Sequence, residues 1–221
     1  MAPSDHPMDV QEVKQSLQDT AAEAVKIARA LGADQAEAGL SYDEGITVTV
    51  RMGELESVER QRDRALAVTV YAGRRKGSAS TTQSTTAALE ETARKALSIA
   101  SFTAEDQYAG LADEQLMAGE LPDLDLYHPW DLSIEAAEVL AQRAEDAARE
   151  TDPRIKNSEG ASLSTGGGVQ VYANSHGFCG GYATSYHSLG CGVVAESENA
   201  LERDYWYTSA RNPEALEEPE H

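Results

Sequence analysis

The chain has 221 residues, 41% of them hydrophobic, which is enough apolar material to bury a core and too much for a disordered polymer. Against 18 Lys and Arg stand 38 Asp and Glu, a formal charge of −20, which argues against nucleic acid and anionic membranes as partners. No apolar stretch approaches the roughly 20 residues of a bilayer span, and no basic-then-apolar export signal opens the chain, so the expected setting is cytoplasmic, with Cys179 and Cys191 as reduced thiols.

Residues 1–9 read as a polar, flexible tail. Val13, Leu17, Ala21, Ala24, Ala28 and Leu31 then recur at spacings of three and four, which predicts one apolar helix face, closed by Gly32. The period switches to two at Ile46, Val48 and Val50. Glycine turns at Gly53 and Gly73 divide the following stretch into strands at 46–50, 55–60, 65–71 and 76–81, an antiparallel meander. Ser84 or Thr85 caps a second helix carrying Leu89, Ala93, Ala96, Leu97 and Ala100.

Residues 103–130 lose all periodicity and read as a connector. Ser133 caps a third helix with a stripe of Ile134, Ala137, Leu140, Ala141, Ala144 and Ala148, stopped by Pro153. Turns at Gly166-Gly167-Gly168 and at Asn174-Ser175-His176-Gly177 then separate strands at 169–173, 178–186, 191–196 and 202–209. The expected fold class is α+β, with one unit at 10–102, a second at 131–212 and a tail at 213–221. The two units look like copies, with Ile46 matching Val169, and a different strand order in the two would refute a duplication.

No Gly-rich phosphate loop, Gly-x-Ser-x-Gly elbow or H-E-x-x-H helix occurs, so no catalytic residue is assigned. His176, Cys179, His187 and Cys191 have zinc-ligand chemistry and short pair spacings. The competing reading makes the cysteines small buried hydrophobes on strands and the histidines ordinary hydrogen-bonding groups, and it is preferred, leaving the chain without a metal. Arg203, Tyr205, Trp206 and Tyr207 form an aromatic, charged strand, read either as an edge with one packed face or as a surface for a partner or peptide. Arg74, Arg75 and Lys76 form the only basic run, read as a solvated turn.

Taken in order, Gly45-Ile46-Thr47-Val48, Ala65-Leu66-Ala67-Val68-Thr69-Val70-Tyr71, Arg75-Lys76-Gly77-Ser78-Ala79-Ser80, Asp123-Leu124-Asp125-Leu126-Tyr127-His128-Pro129, Asn157-Ser158-Glu159-Gly160, Asn174-Ser175-His176-Gly177, His187-Ser188-Leu189 and Glu202-Arg203-Asp204-Tyr205 resemble the TldD/PmbA family of metallopeptidases. The likeness is to the PmbA (TldE) branch. The resemblance implies a bacterial or archaeal subunit, about twice this length, that pairs with a TldD-like subunit into a heterodimeric protease. It implies zinc in that partner, on an H-E-x-x-x-H helix, and no cofactor in this chain. It also implies unfolded or small polypeptides as substrates. The likeness stops where that family's C-terminal domain would start. The expected function is therefore a non-catalytic part of such an assembly. The alternatives are a stand-alone peptide- or protein-binding module and a small zinc protein built on the His/Cys group.

Overall fold

The computed structural model describes residues 8–198 and 200–221. The expected tail lies, as far as Pro7, outside the described residues. Its last residue, Asp9, has a structural role: its carboxylate accepts the N–H groups of Gln11 and Glu12 and so caps helix α1, Val10–Ala30. Thr85 caps α2, Thr86–Phe102, and Ser133 caps α3, Ile134–Glu150, each through its hydroxyl. In each case a side-chain oxygen satisfies an N–H that the first helical turn leaves without a partner.

The strands are fewer and longer than the alternation predicts. β1 is Gln35–Arg51, β2 Glu54–Ala72, β3 Arg75–Thr81, β4 Ile155–Asn174, β5 Cys179–Ser197 and β6 Ala200–Ala210. The stretches 55–60 and 65–71 are one strand, as are 178–186 and 191–196. Gly166-Gly167-Gly168 is not a turn but the middle of β4. The reason is close packing between strands: a Cβ on Gly166 would lie 2.6 Å from the Glu44 carbonyl oxygen of β1. Gly53 is a turn, as expected. With Met52 it forms the β1–β2 reversal at φ of 54° and 80°, a left-handed backbone that glycine enters without steric cost.

All six strands join one antiparallel sheet in the order β3-β2-β1-β4-β5-β6. β1 and β4 pair from Glu37 with Asn174 to Val50 with Ala161 without a register break, fusing the two expected units into halves of one sheet. Each half runs helix, inner strand, middle strand, outer strand. A constant shift of 123 residues carries the Tyr42–Arg64 pair of β1–β2 onto the Thr165–His187 pair of β4–β5, and it carries Ile46 onto Val169. Strand order and the register of the inner with the middle strand thus both follow the duplication, while the outer strands differ in register.

All three helices lie on one face. Ala21, Ala24, Ala28, Ala93 and Ala96 pack on Leu40, Leu66, Val68, Val70 and Val171. Under α3, Ala137, Ala141 and Ala144 pack on Val48, Val50, Leu163 and Leu189. Alanine stripes bring the helices close to the strands, so Cβ–strand contact supplies burial that larger side chains supply elsewhere. Glu145 is the exception on its stripe. Fully buried, its carboxylate accepts the Met52 and Gly53 N–H groups at 2.8 and 2.7 Å, tying α3 to the β1–β2 turn.

The segment 211–221 folds back on the helix side. Asn212 caps a single turn, Pro213–Ala215, and Glu220 binds the Arg143 guanidinium of α3 at 2.6 and 2.9 Å. None of the described helices is long and apolar enough to cross a membrane.

At Gly77 the α2 backbone touches β3: an added Cβ would sit 2.1 Å from the Ala96 carbonyl oxygen and 2.5 Å from the Ala100 nitrogen. Gly77→Val should therefore lift α2 and destabilise the fold by about 3 kcal/mol in urea unfolding. A loss below about 0.5 kcal/mol would mean that α2 does not depend on this contact.

Candidate functional site

The sheet face opposite the helices carries no helix. Strand alternation puts Glu37, Ser41, Asp43, Thr47 and Thr49 of β1 there, because their neighbours Ala36, Ala38, Leu40, Val48 and Val50 point into the core. Cross-strand hydroxyl pairs knit this face: Thr47 with Ser164 and Thr49 with Ser162, both at 2.9 Å, and Thr69 with Ser78 at 2.8 Å. At one end Glu37 accepts the hydroxyls of Tyr71 at 3.0 Å and Tyr172 at 2.7 Å. Burial, and then the hydrogen bond to Glu37, push the Tyr71 phenol up to about 12. At the centre, Asp43, Gly45, Thr47, Gln61, Ser164 and Gly166 border a depression of about 240 Å³. Burial and the facing Asp63 raise the Asp43 carboxyl. A smaller cavity, about 170 Å³, lies on the helix side where the Arg64 guanidinium stands 5.0 Å over the Tyr42 ring beside α1.

The outer end of the bare face is β6. Tyr205 and Tyr207 stack with centroids 6.5 Å apart, opposite Gly192 and Gly190 of β5, and Arg203 pairs with Glu159. Trp206 points to the other face, opposite Cys191, and donates its Nε1–H to Glu217 at 2.9 Å. The structure thus places Arg203, Tyr205 and Tyr207 together and Trp206 behind them. All four are exposed, so β6 is not an edge with one packed face.

The His/Cys group is dispersed. Cys179 and Cys191 lie twelve residues apart on β5, roughly 40 Å at the rise of a strand. His176 is in the β4–β5 turn. His187 is fully buried with both ring nitrogens engaged. Its Nε2–H donates to the His128 carbonyl at 2.9 Å, which leaves Nδ1 to accept the Thr165 hydroxyl at 2.7 Å. No single ion could reach all four residues, and no group of three or more His, Cys, Asp or Glu placed to hold a metal exists among the described residues. The zinc alternative is therefore corrected. Burial, and then the charge of Glu145, push the Cys191 thiol up to about 11, which disfavours the thiolate that a metal ligand requires.

His187 instead locks the connector. The Leu111 N–H donates to Gln35, Asn174 meets the Met117 sulfur, and Leu121 covers Gly180. The Ser185 N–H then donates to the Leu126 carbonyl at 2.9 Å, Tyr127 lies on Gly167, and Trp130 meets His187 edge-on at 5.5 Å. The connector thereby passes around the half of β5 that β6 leaves uncovered, from the bare face to the helix face. Glu145 and Glu37 are functional-looking groups that motif reasoning overlooks. Glu145 had a signal: it falls beside Ala141 and Ala144 on the apolar stripe of α3.

The chain matches the family model described as PmbA/TldA metallopeptidase domain 1 over residues 36–100, and that family's central domain over 127–221. It is similar to the metalloprotease PmbA of Escherichia coli O157:H7, 47% identical over 187 residues, 85% of this chain and 42% of that protein. The PmbA homolog of Haemophilus influenzae is 43% identical over 206 residues, 93% of this chain and 46% of that protein. A crystal structure of a proposed DNA gyrase modulator from Bacteroides thetaiotaomicron shares the fold at a TM-score of 0.84 and 24% identity, over 93% of this chain and 47% of that one. TldE from Thermococcus kodakarensis does so at 0.70 and 14%, over 85% and 42%. The chain spans somewhat under half the length of each.

Two titrations check this site. Cys191 should resist thiol reagents at pH 8 and gain reactivity only as the pH climbs towards 11; rapid labelling in the folded protein at pH 8 would contradict its environment. The Tyr71 phenol is held above its ordinary value of 10, so its neutral form favours the folded state. That contribution is complete below pH 10 and drains away as the pH rises through about 12. Tyr71→Phe should flatten this alkaline loss in denaturation curves between pH 9 and pH 12.

Proposed function

Because the chain belongs to the PmbA/TldD metallopeptidase family and covers its first and central domains, we propose that it is the supporting, non-catalytic front part of a PmbA-type (TldE-type) subunit. In this reading it works in the cytoplasm beside a zinc-bearing TldD-like subunit in a heterodimer and helps that subunit cleave unfolded or small polypeptides. Its own task is to contact the partner and to hold extended substrate.

The observation that carries this reading is the bare face of the sheet. Serine, threonine, glycine and tyrosine dominate it, a composition that supplies adaptable hydrogen bonds and rigid aromatic contact at low entropic cost. Its acids are spread out: Glu37 is held by two tyrosine hydroxyls, and Asp43 faces Asp63 and the Ser41 hydroxyl, with no histidine among the groups that act on it. Peptide hydrolysis by a metal needs an activated water and a general base, and the sequence contains no H-E-x-x-x-H helix to supply them. Holding and positioning are what the remaining groups support. Both cysteines are free thiols, which suits a reducing compartment.

The test mixes the chain with a TldD-type subunit. The chain alone should cleave no unfolded polypeptide, and the mixture should co-elute on size exclusion. Replacing Tyr205 and Tyr207 by Ala should weaken that association by about 2 kcal/mol, some thirtyfold. Metal-dependent cleavage by the chain alone would overturn the proposal.

A further inference from the structure

Equivalent places on the helix side of the two halves are finished differently. Under the shift of 123 residues, Leu40, Tyr42, Arg64 and Leu66 correspond to Leu163, Thr165, His187 and Leu189. In the second half this place is closed from within. Ala137 and Ala141 of α3 pack on Leu163 and Leu189, and Trp130 stands edge-on to His187. His187 itself is spent: one ring nitrogen meets the Thr165 hydroxyl and the other the His128 carbonyl. In the first half the same place is a cavity of about 170 Å³, floored by Leu40 and Leu66 and walled by Val13 and Leu17 of α1. Gln83 and Ser84, between β3 and α2, complete it. The charged residues that border it are Glu12 and Arg64. Among the described residues no ion pair or hydrogen bond engages either side chain. Arg64 rests only on the ring of Tyr42, whose own hydroxyl donates to Glu44.

We propose that this cavity binds a free α-amino acid with a branched aliphatic or phenyl side chain. Volume sets the size of the ligand, since a cavity of about 150 Å³ lined by aliphatic and aromatic side chains takes a benzene ring. The apolar walls remove the ligand's side chain from water. The rim sets its ends. The forked guanidinium of Arg64 matches a carboxylate, and the carboxylate of Glu12 accepts from an ammonium. Glu12 lies in the first turn of α1, where the helix dipole favours an acid, so it holds its charge without a cation beside it. A ligand with a carboxylate alone would meet Glu12 uncompensated, and one with an amine alone would meet Arg64; a zwitterion satisfies both. Acidic and basic amino acids are disfavoured, because a third charge would have to enter among Val13, Leu17, Leu40 and Leu66. The counterpart in the second half is filled by Trp130 and His187, so the stoichiometry is one ligand per chain. The inference goes beyond the reading given above and does not depend on it: the cavity lies on the helix side, away from the bare face, and its ligand needs no TldD-type subunit.

Calorimetric titration of the whole chain with L-leucine or L-phenylalanine should give saturable heat at one ligand per chain. Leucine amide, which lacks the carboxylate, and N-acetyl-leucine, which lacks the ammonium, should each bind about tenfold more weakly, the loss of one charge-assisted contact. Arg64→Gln should weaken leucine binding to the level of leucine amide and remove the preference between those two ligands. Glu12→Gln should likewise remove the preference for leucine over N-acetyl-leucine. Both residues are exposed, so the melting temperature should not change. Equal binding of leucine and its two capped forms, binding of lysine or glutamate as tight as that of leucine, or no saturable heat with millimolar leucine would each overturn the proposal. So would a loss in either variant that is shared equally by all three ligands.

Discussion

The pairing of β1 with β4 is the constraint on which the rest of the molecule depends. Each half, taken alone, would be a three-stranded meander with an unprotected inner edge. Joined in unbroken antiparallel register, those two edges satisfy each other, and only outer edges remain to be managed. The same pairing sets the faces. With side chains alternating in step across β1 and β4, Leu40 comes beside Val171 and Val48 beside Leu163, so one apolar surface receives all three helices. A slip of one residue would turn both core clusters outward. Glu145 reinforces this arrangement from α3, since its buried carboxyl oxygens would be left without partners if the Met52 and Gly53 N–H groups moved away.

The fold was legible where local rules decide structure. Helices, their caps at Thr85 and Ser133, and the turn at Gly53 follow from periodicity and side-chain chemistry within a few residues. Strand ends were less legible, because Gly166-Gly167-Gly168 looks the same in sequence whether it makes a turn or lets neighbouring strands approach closely. Only β1, more than a hundred residues away, decides between these. The correspondence of Ile46 with Val169 could be seen from glycine spacing. A second sign of duplication lay in plain view: His6-Pro7-Met8-Asp9 before the first helix and His128-Pro129-Trp130-Asp131 before the third. Of these, Met8 packs against the first core cluster and Trp130 against the second.

The candidate site was legible in part. Arg203, Tyr205, Trp206 and Tyr207 stand out as an aromatic, charged strand, and the structure exposes all four at the end of the bare face. The division of labour between the two faces of β6 needed the register with Gly190, Cys191 and Gly192. The His/Cys group shows the opposite outcome. Short spacings in sequence suggested proximity, but on a strand a short spacing means separation, and the chemistry of His187 is spent on Thr165 and His128. Its role is to hold the connector, a role set by a partner fifty-nine residues distant in the chain.

The connector has a consequence for how the chain is held together. It covers the unpaired half of β5 and is fastened at Ser185 and His187, whereas its earlier part touches the sheet only at scattered points such as Gln35 and Asn174. Cutting the backbone between Phe102 and Leu121 would sever one covalent bond and leave the β1–β4 pairing, both core clusters and the His187 lock in place. The halves therefore have the makings of a two-piece protein that reassembles from separate fragments, and the covalent link serves mainly to keep their local concentration high.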